Sequence, residues 1–509
     1  MASRIDRPSE TELKEAGAEL GLFLSSDDAA SFLGLMEGLF EAYDAVNGMD
    51  NGAPTQRYPR APGARPSAKD NPYNAWAVRT DIKGATGGKL SGKTVAIKDN
   101  VNVAGVTMEN GSTILQGYVP DTDATIVTRL LNAGADILGK SACEYYCASG
   151  GSHTSANGPV ENPVVAGFNA GGSSSGSAAL VAAGIVDMAT GGDQGGSIRI
   201  PASFCGIVGI KPTHGLVPYT GIFPVELTVD HAGPMTRSVA DNALMLEVMA
   251  GPDGLDPRQS GAPAQNYTDA LSQPVNGLRV GIVTEGFGHP GAEPEVEARI
   301  RELGQKMESA GAVVQEISMP LHAVGPAIWT PIFLEGATEM MLRQNAYGTN
   351  MKGHFSEGLL DAQSQWKEQA NDMSETLKLG VLMGHYMSSR HKGRFYGKAQ
   401  NLNRQLTAAY DALLELYDVL LMPTTPMAAT PLPGQDATRE EIVGAAFGMI
   451  QNTSPSCATG HPSISVPAGT TCDGRPIGAM FIGAKLDEMT LYRAAVCVEN
   501  CTFEQMAET

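Results

Sequence analysis

Three observations predict an α/β fold preceded by a helical extension. From Trp76 onward, short apolar runs such as Thr94 to Lys98 alternate with helix-like runs such as Ala124 to Asn132, the pattern of strands interleaved with helices. The 509 residues correspond to roughly three units of about 150 residues, or to one large fold with additions. The 60 glycines, about one residue in eight against an average near 7%, describe a chain that turns sharply and often.

In chain order, residues 9 to 48 carry two helical signals. Ser9 precedes Glu10 and Glu12, and Ser25-Ser26-Asp27-Asp28 caps a second run in which Phe32, Leu35, Met36, Leu39 and Phe40 recur at spacings of three and four. Pro54, Pro59, Pro62, Pro66 and Pro72 then mark a linker or a strap, so residues 1–75 are expected to form an N-terminal extension and 76–509 a catalytic domain. Gly134 stands where the helix after Ala124 needs a C-cap, and Ala135 to Gly139 follows as a short buried strand. Residues of about 325–400, with Met340, Met341, Met351, Met373, Met383 and Met387, interrupt the alternation and read as a Met-rich helical insertion forming an adaptable apolar wall. Phe395 to Tyr417 has the length and pattern of a long helix, and Asp418 to Met422 returns to strand before Pro423-Thr424-Thr425-Pro426. No internal repeat is present.

Composition removes several functional classes. The 35 Lys and Arg against 55 Asp and Glu give a formal charge of -20, which repels nucleic acid and anionic membrane surfaces. Seven cysteines without a C-x-x-C pair indicate neither a disulfide framework nor a zinc cluster, and no metal is expected. The first residues are charged where a signal peptide is apolar, and no run of 18 apolar residues occurs. The expected setting is the cytoplasm.

Three familiar motifs match in spelling and fail in context. Gly87 to Thr94 satisfies G-x-x-x-x-G-K-T, but the pattern continues as a strand where a phosphate-binding helix should open. Val95-Ala-Ile-Lys98 resembles the kinase ATP-lysine strand, with no H-R-D or D-F-G after it. Gly172-Ser-Ser174-Ser-Gly176 fits a nucleophile elbow, which leaves Ser174 with His214, His231 or His461 as an alternative serine triad.

The chemistry concentrates between residues 141 and 200, where 12 glycines and nine serines accompany only five charged residues. Apolar runs at Ala178 to Ala183 and Ile185 to Ala189 argue against disorder. Two small-residue loops, Ala170 to Ser177 and Gly191 to Ser197, can present consecutive backbone N–H groups to a developing oxyanion. A serine hydroxyl is a weak nucleophile and requires a base, and neither loop contains a histidine. Lys98 is the candidate by residue type, on the Ala96 side of its strand, with Asp99 facing the opposite way. Only a neutral amine accepts a proton, so such a lysine must be buried beside hydroxyls and away from acids.

These residues resemble the amidase signature family of serine hydrolases. The matches are Lys98-Asp99-Asn100, Gly139-Lys140, Glu144, Ala170-Gly-Gly-Ser-Ser174, Gly192 to Ala202, Gly209 to Thr213, Asp230 to Arg237, Leu421 to Thr424 and Gly460-His461-Pro462, all in family order. The resemblance implies a large mixed β-sheet covered by helices on both faces, and a Ser-Ser-Lys amidase that needs no cofactor. Carried over position by position, Ser197 is the implied nucleophile, Ser173 the bridging serine and Lys98 the base. The N–H groups of Gln194, Gly195, Gly196 and Ser197 form the implied oxyanion hole. The implied partner is a small-molecule amide, and the N-terminal helices resemble the branch often paired with nitrile hydratases, in which they help form a homodimer. Alternative readings are a carbamate- or ester-cleaving, urethanase-like member and the A subunit of a tRNA-dependent amidotransferase. Ser175 stands where many members have glycine, which disfavours a positive φ there, and Cys143 replaces the usual Asn or Met before Glu144 as a pocket-wall change. Cys205 reads as a packed apolar residue, and Asp193 and Arg199 as residues that hold loops.

Overall fold

The computed structural model describes residues 4–507, in two compact units that divide between Thr55 and Gln56. The first unit contains helices Glu10–Glu19 and Ser26–Asn47, each opened by a capping box in which Ser9 pairs with Glu12 and Ser25 with Asp28. Arg7 links to Asp44 at 2.8 Å and lies 4.8 Å from the centre of the Phe40 ring. The apolar stripe that the spacing predicts is present and open to solvent, with Leu35 71% and Leu39 64% exposed.

In the second unit, the proline-rich stretch is a strap. Ala64 pairs with Arg79 as an isolated antiparallel bridge, and the Tyr58 hydroxyl donates to Asn132 Oδ1 at 2.8 Å. Eleven strands follow: β1 Trp76–Ile82, β2 Thr94–Lys98, β3 Asp136–Ser141, β4 Met188–Asp193, β5 Val208–Lys211, β6 His231–Thr236, β7 Arg279–Val283, β8 Val313–Ile317, β9 Val419–Pro423, β10 Ser463–Thr470 and β11 Pro476–Gly483. They form one sheet in the order β1-β3-β2-β4-β6-β5-β10-β11-β9-β7-β8. It is mixed: β2 runs parallel to β3 and β4 and β7 parallel to β8 and β9, whereas the β10–β11 and β4–β6 ladders are antiparallel.

The expected strand, helix, strand order appears as β2, helix Thr125–Asn132 and β3. Gly134 follows that helix at φ +89, the left-handed turn a C-cap glycine supplies. Alternation along the strands places side chains on two faces, and in the centre of the sheet both are buried, whereas the edge strand β8 is largely open to solvent. Val95 and Ile97 of β2 pack in one apolar cluster with Ile126 and Leu130, and Ala96 packs in another with Ala178 and Leu180 of helix Ser175–Ala182. Phe481 and Met480 of β11 divide between two clusters in the same way. This is the predicted sheet with helices on both faces.

The interruption between β8 and β9 is helical, with Pro320–Ala337, Glu357–Ser364 and Glu375–His391 before the long helix Arg394–Leu416. Gly325 brings Pro320–Ala337 against Ser454–Thr459, since a Cβ at Gly325 would lie 2.7 Å from Pro455. Gly87 to Thr94 runs through a turn into β2, with no phosphate-binding helix. Among the described residues, no helix is long and apolar enough to cross a membrane.

Candidate active site

Lys98 closes β2 and is fully buried. Its Nζ donates to Ser173 Oγ at 2.8 Å and lies 3.4 Å from the Gly192 carbonyl oxygen. Asp99 turns away as strand alternation requires: Oδ1 is 3.0 Å from Lys140 Nζ, and Oδ2 accepts from the N–H groups of Glu109 and Asn110 at 3.1 and 2.9 Å. Of the acids, Glu144 stays near. Burial pushes its carboxyl up to about 7, against the opposing effect of bonds from Thr154 and Ser175, which leaves it partly neutral at neutral pH. Ser175 therefore has its own use, donating to Glu144 Oε1 at 2.8 Å from the first turn of a helix, where no glycine is required.

The Gly191 to Ser197 loop is organised by one ion pair. Arg199 is wholly buried, and its Nε and one terminal nitrogen donate to the two oxygens of Asp193 at 2.9 and 3.0 Å. Those oxygens also accept from Gly196 N at 2.7 Å and Ile198 N at 3.1 Å. The nearby guanidinium holds the Asp193 carboxyl down to about 2 in spite of burial. Asp193 and Arg199 do hold the loop. Of the four N–H groups expected at the oxyanion hole, that of Gly196 donates to Asp193 Oδ1. Among the described residues no acceptor is bonded to the N–H groups of Gln194, Gly195 or Ser197.

Ser197 lines a pocket with Cys147, Gln194, Gly195, Trp329 and Phe333. Its hydroxyl has no hydrogen-bond partner among the described residues, and the loop of Ser173 is tied to that of Ser197 through the backbone, where Ser174 N donates to the Ser197 carbonyl at 3.3 Å. A second cavity shares Ala148, Phe333 and Phe447 with this pocket and continues past Leu334, Met341 and Leu377. Of the six methionines singled out in the insertion, Met341 alone lines it; the rest of the wall is mostly aromatic and aliphatic, with Thr338, Thr376 and Gly380 among it. Cys143 is not a wall residue. It is fully buried with its Sγ 3.6 Å from Asn110 Oδ1, and Cys147, one short turn later, reaches the pocket instead. Cys205 packs against the Ala170 carbonyl at 3.3 Å, and burial raises its thiol well above the ordinary range.

The alternative triad is not assembled. Ser174 Oγ bonds only to the backbone of Gly192, donating and accepting at 3.2 Å. His214 is bonded to the Leu227 carbonyl, His231 to the carbonyls of Val229 and Asp193, and His461 to Thr459 and Asp411. Burial lowers all three rings, His214 and His461 to about 4, so each is neutral near pH 7.

The family model described as Amidase matches residues 68–492. The chain belongs to the amidase family. Amidases hydrolyse carbon–nitrogen amide bonds, and a buried lysine and two serines beside a loop of free N–H groups suit that work. The chain is 48% identical over 436 residues to an enantioselective amidase of Rhodococcus rhodochrous, covering 84% of each protein. It is also 36% identical to the A subunit of the glutamyl-tRNA(Gln) amidotransferase of Haloarcula marismortui, over 83% of this chain and 98% of that one. Among solved structures, native peptide amidase from Stenotrophomonas maltophilia superimposes with a TM-score of 0.67 at 30% identity, covering 82% of this chain and 84% of that one.

Trp329, Thr453 and Cys147 are amidase pocket or loop residues that the sequence motifs do not mark. Only the pair of thiols near Glu144 carried a local signal, two cysteines four residues apart.

Proposed function

We propose that this amidase uses Ser197, Ser173 and Lys98 in an acyl-enzyme mechanism. The observation that carries the reading is the fully buried 2.8 Å pair of Lys98 Nζ and Ser173 Oγ next to the Ser197 pocket. With the amine neutral, that bond runs the other way: Ser173 gives its proton to Nζ and takes one from Ser197, whose Oγ attacks the carboxamide carbon. The oxyanion meets the N–H groups of Gln194, Gly195 and Ser197. Collapse breaks the C–N bond as the proton returns through Ser173 to the departing ammonia or amine. Water then attacks the Ser197 ester by the same relay and releases the acid. No cofactor takes part in this scheme.

The apolar cavity that continues from the pocket favours amides with an apolar acyl group. The open stripe on the N-terminal helices favours a second copy of this chain as partner, and seven free thiols accord with a reducing cytoplasm. The test is acyl-enzyme trapping followed by intact mass. Wild type and Ser174→Ala should gain the acyl mass from a carboxamide, while Ser197→Ala should gain none and turn over at background rate with its melting temperature retained. A labelled, active Ser197→Ala enzyme overturns the assignment. Running carbamates, esters and simple amides on the purified chain separates this reading from the urethanase-like one, and inactivity on every simple amide would favour the amidotransferase reading, in which the chain works only within a complex.

A further inference from the structure

Three successive carbonyls of the loop that carries Ser197 are held from behind. Asp193 O faces His231 Nδ1 at 3.3 Å, Gln194 O accepts from the indole Nε1 of Trp329 at 2.7 Å, and Gly195 O accepts from Thr453 Oγ1 at 2.6 Å. In a trans peptide the C=O of one residue and the N–H of the next point in opposite directions. The indole therefore fixes the plane whose other side is the Gly195 N–H, a group with no acceptor among the described residues. Gly196 shows the contrast: its carbonyl-side neighbour is held by Thr453, but its N–H ends on Asp193.

Trp329 is placed firmly enough to do this. It is 5% exposed, its ring stacks on Phe333 at 4.6 Å and 15°, and both lie on the buried face of helix Pro320–Ala337. The same edge of the indole also packs closely against the loop, since a Cβ at Gly195 would come within 2.8 Å of Trp329 Cζ2. A donor on a peptide carbonyl polarises that peptide and strengthens the bond its N–H makes, the more so where water is excluded.

We propose that Trp329, supplied by the helical insertion, is a positioning residue for acylation: its indole N–H orients and polarises the Gln194–Gly195 peptide so that the Gly195 N–H meets the oxyanion. The proposal rests on the Ser197 mechanism above. It separates two roles of one side chain, a pocket wall that senses the substrate and a hydrogen bond that senses only the charge developing in the transition state.

The experiment compares wild type with Trp329→Phe, which keeps an aromatic wall and deletes the N–H. Direct loss of one oxyanion donor lowers kcat by about 10²–10³. Loss of the brace behind it is expected to lower kcat about tenfold with KM nearly unchanged. An aldehyde that adds to Ser197 and mimics the tetrahedral state should weaken by the same factor, while a carboxylate product binds as before. If Trp329→Phe does not fold, site-specific replacement of the indole by its benzothiophene isostere removes the N–H alone. A kcat within twofold of wild type, a change confined to KM, or aldehyde affinity that does not follow kcat overturns the proposal. Failure of the Ser197 mechanism is read separately, as an aldehyde adduct and turnover that survive Ser197→Ala.

Discussion

Replacing Arg199 by Met removes the charge at the centre of the loop while retaining most of the side-chain length. Arg199 is completely buried, and besides Asp193 its nitrogens reach Ser456 Oγ at 2.8 Å and the Thr453 carbonyl at 2.9 Å. Without it, Asp193 is left as a buried carboxylate with only the N–H groups of Gly196 and Ile198 and the Cys457 thiol. Breaking a buried pair from one side costs about 3–5 kcal/mol. The acid itself gives a second magnitude. The fall of its carboxyl from 3.8 to about 2 is nearly two units at about 1.36 kcal/mol each, or roughly 2 kcal/mol. Because the folded value is depressed, this stability is present above about pH 4 and is lost as pH falls through about 2. Arg199→Met removes the cause, so the variant's deficit should be full at pH 7 and shrink toward pH 2. Urea unfolding of wild type and variant, followed by far-UV circular dichroism at pH 7 and pH 3, measures both. Turnover on the same samples should fall about 10–100-fold as the donors of the loop lose their alignment. A variant within 1 kcal/mol of wild type at pH 7, or a deficit that does not change with pH, refutes the reasoning.

His214→Gln, His231→Gln and His461→Gln, made one at a time, are each expected to keep turnover within about tenfold of wild type. A thousandfold loss in a folded variant would restore a histidine-based triad. If the open stripe pairs two copies as proposed, wild type should sediment as a dimer and Leu35→Glu with Leu39→Glu as a monomer with the melting temperature of the larger unit unchanged; a monomeric wild type or an unaltered mass in the variant refutes that pairing.

Much of this amidase is local and was legible as such. The period-two alternation of Thr94 to Lys98 places Lys98 on the Ala96 face and Asp99 on the other, and the Lys98–Ser173 and Asp99–Lys140 pairs lie as that alternation requires. Ser9 and Ser25 announce their helices because a capping box is a contact across three residues. The family motifs mark the loop around Ser197 because its glycines and serines are consecutive.

What the sequence left open turned on direction, which composition does not carry. Four consecutive N–H groups look equivalent in a string of small residues, but Asp193 captures that of Gly196, which sits at φ +138 with Thr453 filling the space a Cβ would need. Which way each peptide faces is decided by the atoms behind it. For Gln194 that is Trp329, 135 residues away, and for Gly195 it is Thr453, 258 residues away. The sequence by itself determined the alternation of elements, the face of Lys98 and the small-residue loops, since these depend on neighbours within a few positions. Only the tertiary structure decided which loop donors remain free and which walls surround Ser197, because a hydrogen bond acts over about 3 Å and its partner can come from any part of the chain.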